Sequence, residues 1–346
     1  MNNKFFPSNF LFIMIMVMST IFSLSSSHWL TMWMGLELNL LGFLPLMNIK
    51  GKTLEAEASM KYFIIQSMSS SVLIISSVIM YNINLSWYSM FNNNMISLMI
   101  LLSLVLKLGG APLHFWLPSI TKQMPWSILF LMITWQKLAP LLMLSLINSN
   151  LFIILLISIL STLTGSIMAL NQTNIQLIMT YSSISHLGWM LSTISINSSL
   201  TLIYFMNYIM ISIPLMNMMS QSLGNHLFML TQKNKMNSMI VISLILSLGG
   251  LPPLLGFMSK LIILISLIHM KMMMLTLMLF LGTLISLYFY LNMSLMLMIK
   301  SYMTIEKTKT NKMYNPIISL NLLSSLIIYP LIIMFITYAM IIFNKS

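Results

Sequence analysis

Cysteine is absent from this 346-residue chain, and so are arginine and aspartate. Without cysteine there can be no disulfide and no thiolate ligand for zinc or an iron–sulfur cluster, so redox chemistry must come from partners. Charge is scarce as well. Charged residues make up 6% of the sequence against 58% apolar, and the four acidic residues are all glutamate. A chain of this length cannot hide that much hydrocarbon behind a polar surface, which excludes a water-soluble globular protein and points to lipid as the solvent.

The formal charge of +12 rests on sixteen lysines scattered singly between apolar runs. Such spacing reads as membrane topology signalling and not as a nucleic-acid surface. Five dispersed histidines with few carboxylates make a weak metal signal, and the forty methionines read as lipid-facing filler under codon bias and not as copper ligands. The bias toward Met, Ile, Asn, Phe and Lys is that of an A+T-rich organellar genome. The first ten residues carry one lysine, and no small-residue cleavage site follows the apolar run from Phe10. Neither a signal nor a transit peptide is expected.

A span needs roughly 20 apolar residues to cross the hydrocarbon layer. Apolar runs separated by polar punctuation predict eleven helices, at 10–27, 28–47, 59–81, 94–117, 125–147, 150–170, 174–195, 198–219, 238–268, 271–299 and 316–343. With that count, Lys4, Lys50, Lys52, Lys61, Lys122, Lys233, Lys235, Lys300, Lys307, Lys309 and Lys312 share one side, and Lys271 and Lys345 take the other. The positive-inside rule then places the amino terminus in the cytoplasm or mitochondrial matrix.

The strings Leu108-Gly109-Gly110-Ala111-Pro112 and Leu248-Gly249-Gly250-Leu251-Pro252 recur five predicted helices apart. Five is odd, so the copies cross the membrane in opposite directions, the plan of an inverted-repeat transporter. The expected fold is thus an all-α polytopic membrane protein of about eleven transmembrane helices. Its divisions are a first five-helix repeat (1–148), a second, inverted one (149–300), and a loop with a terminal helix (301–346). Gly-Gly-x-Pro breaks a helix, and lipid tolerates the freed carbonyls only where protein, ions or water satisfy them. Two broken helices, near 108–112 and 248–253, therefore mark the transport site; packing through small residues is the plainer alternative.

Three lysines, Lys107, Lys137 and Lys260, lie inside predicted spans together with Glu37. A lysine at the bilayer centre costs roughly 2.5–3.5 kcal/mol, so function is the default reading; snorkelling to an interface is the alternative for each. Burial favours the neutral forms of Lys and Glu while proximity favours the charged ones, so separating a Glu–Lys pair can move a proton. His114 and His186 are possible relays, because neutral imidazole both donates and accepts. A kink is expected at Pro140, close to Lys137. Glu57 and Lys61 lie one turn apart and suit a surface pair.

The strings KLGGAPLHFWLP from Lys107, WQKLAP from Trp135, YSSISHLGWM from Tyr181 and GGLPPLLGFMSK from Gly249 resemble the subunit 2 family of mitochondrial NADH:ubiquinone oxidoreductase, respiratory complex I, in an invertebrate, insect-like form. The resemblance spans nearly the whole chain. It implies an antiporter-like subunit of the membrane arm in the mitochondrial inner membrane, its amino terminus in the matrix. Such a subunit translocates protons from matrix to intermembrane space. It binds no cofactor itself, since NADH, FMN, the iron–sulfur clusters and ubiquinone belong to partner subunits. Its neighbours would be other membrane-arm subunits, including sister antiporter-like ones, and lipids.

The family's carboxylate–lysine pair falls on Glu37 and Lys107, its central lysine on Lys137, and the lysine of its second broken helix on Lys260. Where members often carry Glu after the HFW string, this chain has Ser119, and Glu55 is an extra acid beside Glu57. The implied path runs through Lys107, Lys137 and His186 to Lys260, with Glu37 tuning Lys107. Two rivals fit the same residues: a free-standing cation/proton antiporter, and a structural membrane scaffold.

Overall fold

A computed structural model describes residues 7–49, 51–84, 89–146, 151–220, 235–252 and 254–305. Among them every regular element is a helix. In order they are α1 (Pro7–Ser25), α2 (Trp29–Met47), α3 (Thr53–Asn84), α4 (Ser89–Leu108), α5 (Trp116–Thr121), α6 (Trp126–Ile133), α7 (Trp135–Ser145), α8 (Leu151–Leu170), α9 (Ile175–Ile194), α10 (Ser198–Ser220), α11 (Lys235–Gly249), α12 (Leu255–His269) and α13 (Met273–Ile305). Among the described residues six segments are long and apolar enough to cross a membrane: Trp29–Met47, Thr53–Met80, Trp126–Ser145, Leu151–Leu170, Ser198–Ser220 and Met273–Lys300. Four shorter apolar helices accompany them. This is the build of a polytopic membrane protein. The helix predicted at 316–343 and the division after 148 lie outside the described residues.

Apolar side chains point outward as well as inward. Phe10, Leu11 and Met18 of α1, Phe63, Ile64 and Met68 of α3, and Met274, Leu277 and Leu281 of α13 are exposed, a surface suited to lipid and not to water. The polar residues lie within. α9 is buried on nearly all sides, with Ser182, Ser183, Ser185, His186, Ser192 and Thr193 shielded by α8, α10, α12 and α13. Its serines do not leave hydroxyls unpaired in that interior: Ser182, Ser183, Ser185 and Ser192 each donate to the carbonyl three residues earlier.

Small residues set the tightest packing. A Cβ on Gly165 of α8 would stand 2.7 Å from the Ser185 amide nitrogen and 2.8 Å from the Tyr181 carbonyl, and one on Gly188 of α9 would stand 2.6 Å from the Ser158 carbonyl. Glycine at these places lets the two backbones touch, the membrane substitute for interlocking side chains. Gly35 of α2 meets Ser23 of α1 in the same way.

Three predicted spans are interrupted, one more than the two expected. The 94–117 segment divides into α4 and α5, the 238–268 segment into α11 and α12, and the 125–147 segment into α6 and α7 at Thr134. The expected kink residue Pro140 sits within α7. Proline there removes one amide donor and the helix continues, whereas the Thr134 hydroxyl takes the Phe130 carbonyl, which the Thr134 amide also takes.

Candidate functional site

The two glycine strings close their helices by the same motif in different register. In the first, Gly109 adopts φ +72°, its amide bonds the Leu106 carbonyl, and the Gly110 amide reaches back to Val105. In the second, Gly250 adopts φ +84°, its amide bonds Ser247, and the Leu251 amide reaches Leu246. Both are Schellman closures, which need a left-handed residue just past the helix and so select glycine. The first glycine of one string and the second glycine of the other do this work, so α11 runs one residue further into its string than α4 does.

What satisfies the remaining carbonyls differs more. At the first break, the Trp116 indole donates to the Leu106 carbonyl (3.1 Å) and the Gln66 amide to that of Lys107 (3.5 Å). Both donors are neutral. At the second break, the Lys260 amine reaches back from α12 and donates to the carbonyls of Leu248 (3.2 Å) and Gly249 (2.9 Å). The amine is thereby placed at the carboxyl end of α11, where the helix dipole favours positive charge. Close approach of α12 permits this: a Cβ on Gly256 would collide with the Ser247 carbonyl.

Lys137 is 3% exposed, and its amine donates to the Ser183 carbonyl of α9 at 3.0 Å. Lys107 and Lys260 are each 7% exposed. All three are thus shielded by the rest of the protein. His186 lies one helical turn along α9 from Ser183, feels the charges of both Lys260 and Lys137, and meets the Tyr204 hydroxyl through Nδ1 at 2.8 Å. Tyr208 packs on the same ring, with centroids 5.0 Å apart. Tyr290 of α13 lies against Gly249, and its buried hydroxyl faces the Ser182 side chain.

A second polar group surrounds Lys107. Leu36, Asn39, Leu40, Tyr62, Gln66, Lys107, Gln136 and Pro140 line a pocket of about 20 Å³, enough for a water molecule. Asn39 and Gln136 pair reciprocally across it, Nδ2 to Oε1 at 3.0 Å and Nε2 to Oδ1 at 3.2 Å. Glu37 is near enough for its charge to act on Lys107 and Tyr62, yet Glu37 and Lys107 do not come within the 4.0 Å of an ion pair. One Glu37 oxygen, Oε1, is buried without a hydrogen-bond partner. The sequence expectation of a carboxylate–lysine pair thus meets two groups in electrostatic range but not in contact. The ion pair expected between Glu57 and Lys61 is present at the start of α3.

His114 occupies the turn between α4 and α5. It stacks on Phe115 with centroids 4.4 Å apart and interacts with the Pro112 backbone, and no hydrogen bond is seen between it and Lys107 or His186. The structure therefore brings Lys137, His186 and Lys260 to one side and Glu37 and Lys107 to another, and leaves His114 apart. Sequence reasoning missed Asn39, Tyr62, Gln66, Gln136, Tyr204, Tyr208 and Tyr290. Their signal was present as polar side chains inside apolar spans, with Tyr204 and Tyr208 one turn apart.

Residues 26–286 match the family described as NADH:quinone oxidoreductase/Mrp antiporter, TM. The chain is 39% identical over 328 residues to NADH-ubiquinone oxidoreductase chain 2 of Anopheles gambiae, covering 92% of this chain and 94% of that protein. To its namesake in Locusta migratoria it is 38% identical, over 91% and 92% of the two chains. In fold it is similar to a chain of respiratory complex I from Thermus thermophilus, with a TM-score of 0.81 at 20% identity over 93% of this chain and 77% of that one. The chain belongs to the NADH:quinone oxidoreductase/Mrp antiporter transmembrane family and, within it, to the NADH-ubiquinone oxidoreductase chain 2 proteins.

Proposed function

We propose that this chain, as a membrane-arm subunit of a proton-pumping NADH:ubiquinone oxidoreductase, carries protons across the mitochondrial inner membrane from matrix to intermembrane space. Family membership supports the assignment to the complex. NADH oxidation and ubiquinone reduction take place on partner subunits, which hold the FMN and iron–sulfur clusters, and supply the free energy. Moving one charge against 100 mV takes about 2.3 kcal/mol.

The observation that carries the path is the set of three buried lysines, two held by backbone carbonyls and one beside a water-sized pocket, with His186 in the field of two of them. Protons move from Lys107 through Lys137 and His186 to Lys260, and Glu37 tunes Lys107. The paired glycine closures support reading 1–148 and 149–300 as inverted five-helix repeats within eleven spans, followed by a terminal helix, with the amino terminus in the matrix. Sister antiporter-like subunits and lipids are the neighbours this reading implies.

One observation favours a second reading, a structural scaffold: the Lys260 amine caps α11 as a purely structural residue could. A single experiment separates the two. Lys107→Ala and Lys260→Ala are introduced into a homologous complex, which is purified and reconstituted, and proton pumping is measured per assembled complex. Loss of pumping in assembled complex supports the path. A scaffold predicts less assembled complex with undiminished pumping in what remains, and that outcome defeats the assignment.

A further inference from the structure

Lys107 and Lys137 face different surroundings of α7, and Gln136 stands beside Lys137 in the chain while lining the pocket of Lys107. Consecutive helical positions point about 100° apart. Gln136 and Pro140 therefore line the Lys107 pocket, while Lys137 turns away to the Ser183 carbonyl of α9. A proton leaving the Lys107 pocket along α7 toward Lys137 meets Gln136.

There the way is closed by neutral groups. Both amides of the Asn39–Gln136 pair spend a donor and an acceptor on each other. The Tyr62 hydroxyl adds a third, longer bond to Gln136 Oε1 at 3.4 Å, and Gln136 Nε2 lies 3.4 Å from the Met16 sulfur. Four elements, α1, α2, α3 and α7, thus converge on one side chain. An amide cannot take up a proton at ordinary pH, and while paired it offers little to a water in the pocket.

The same stretch of α7 is bounded by two weak points. Thr134 interrupts the helix two residues before Gln136, and Pro140, four residues after it, has no amide hydrogen to give the Gln136 carbonyl. A segment with an interruption at one end and a missing ladder bond at the other can turn without breaking a full helix.

We propose that Asn39 and Gln136 form a neutral gate between Lys107 and Lys137. Paired, the amides hold α7 against α2 and confine water to the Lys107 side. Unpaired, Gln136 offers its donor and acceptor to a water that joins the pocket to Lys137, and a proton leaves the Lys107 ammonium for that water as the water gives one to the neutral Lys137 amine. Both residues act by positioning α7 and water, and neither is protonated in the cycle. The gate rests on the proton path given above.

The test uses the intact homologous complex, reconstituted, with protons pumped per electron measured for Asn39→Leu, Gln136→Leu, the double variant, and the exchanged pair Asn39→Gln with Gln136→Asn. The gate predicts roughly a hundredfold less pumping for each leucine variant, the lower end of what a positioned proton-transfer group contributes. It further predicts a double variant no worse than either single, because the two side chains act as one unit, and recovery in the exchanged pair. Unchanged protons per electron in the leucine variants overturns the gate, as does a double variant with the product of the two single losses. Reduced assembly with normal pumping per complex assigns the pair to packing and overturns it too. Lys107→Ala is measured in parallel. If it pumps normally the path itself fails, whereas loss in Lys107→Ala beside normal leucine variants rejects the gate alone.

Discussion

The side chain of Lys260 lies across Gly250, such that a Cβ on the glycine would stand 3.1 Å from both Cδ and Nζ of the lysine. Two demands therefore meet at one residue: a left-handed backbone and room for the amine that caps the helix. Gly250→Ala violates both. A left-handed non-glycine residue costs about 1–2 kcal/mol, and the methyl also displaces Lys260 from the Leu248 and Gly249 carbonyls. The expected result is a lower thermal midpoint of the complex and less pumping, read by thermal inactivation and by reconstitution.

Tyr204→Phe removes the hydroxyl that meets His186 Nδ1 and preserves the ring. The loss of one buried hydrogen bond costs about 1 kcal/mol, small enough for the subunit to assemble. Pumping per assembled complex falls several-fold if His186 relays protons and stays normal if the histidine only packs.

Among the described residues Glu37 makes no ion pair, so its replacement breaks none there. Glu37→Gln is accordingly expected to leave the amount of assembled complex unchanged on native electrophoresis. Its effect falls on pumping, because removing the charge alters the field at Lys107.

The seam between α8 and α9 tolerates no added side chain. Gly188→Leu forces the helix away from Ser158 and Thr162. Overpacking of this kind costs about 1–3 kcal/mol in an interior that can yield, and more where backbones touch. Loss of assembled complex on native electrophoresis is the expected outcome, and the same substitution at exposed Met206 is the silent control.

At the turn between α12 and α13 the left-handed position is taken by Lys271, with φ +59°. This residue is exposed and closes α12 by the same Schellman bonds that end α4 and α11, from Met272 to Leu267 and from Lys271 to Ile268. Lys271→Gly relieves the strain, and a gain of about 0.5–1 kcal/mol, seen as slower thermal inactivation, is expected.

How much of this was legible beforehand depends on the distance over which each feature is encoded. The three lysines stood out because a charge in an apolar run is conspicuous without any partner, and the two glycine breaks because Gly-Gly-x-Pro acts locally. The register difference between those breaks was not visible, since it turns on whether Gly109 or Gly250 supplies the left-handed residue and the two strings look alike. Thr134 escaped notice because a hydroxyl competing for the Phe130 carbonyl has no distinctive spacing, while Pro140 drew attention to a place where the helix simply continues. Asn39 and Gln136 lie 97 positions apart in the chain, and only the folded helices reveal that they are each other's partners.

Lys137 and Lys260 share one trait: each is held by main-chain oxygen, from Ser183 in one case and from Leu248 and Gly249 in the other. Such acceptors exist whatever amino acid occupies the position. Replacing the side chain at Ser183 or Leu248 therefore leaves the acceptor for the amine in place, and such docking points leave no covarying counterpart in the gene. A change of backbone course, or a side chain that blocks the approach as one on Gly250 would, is what takes them away.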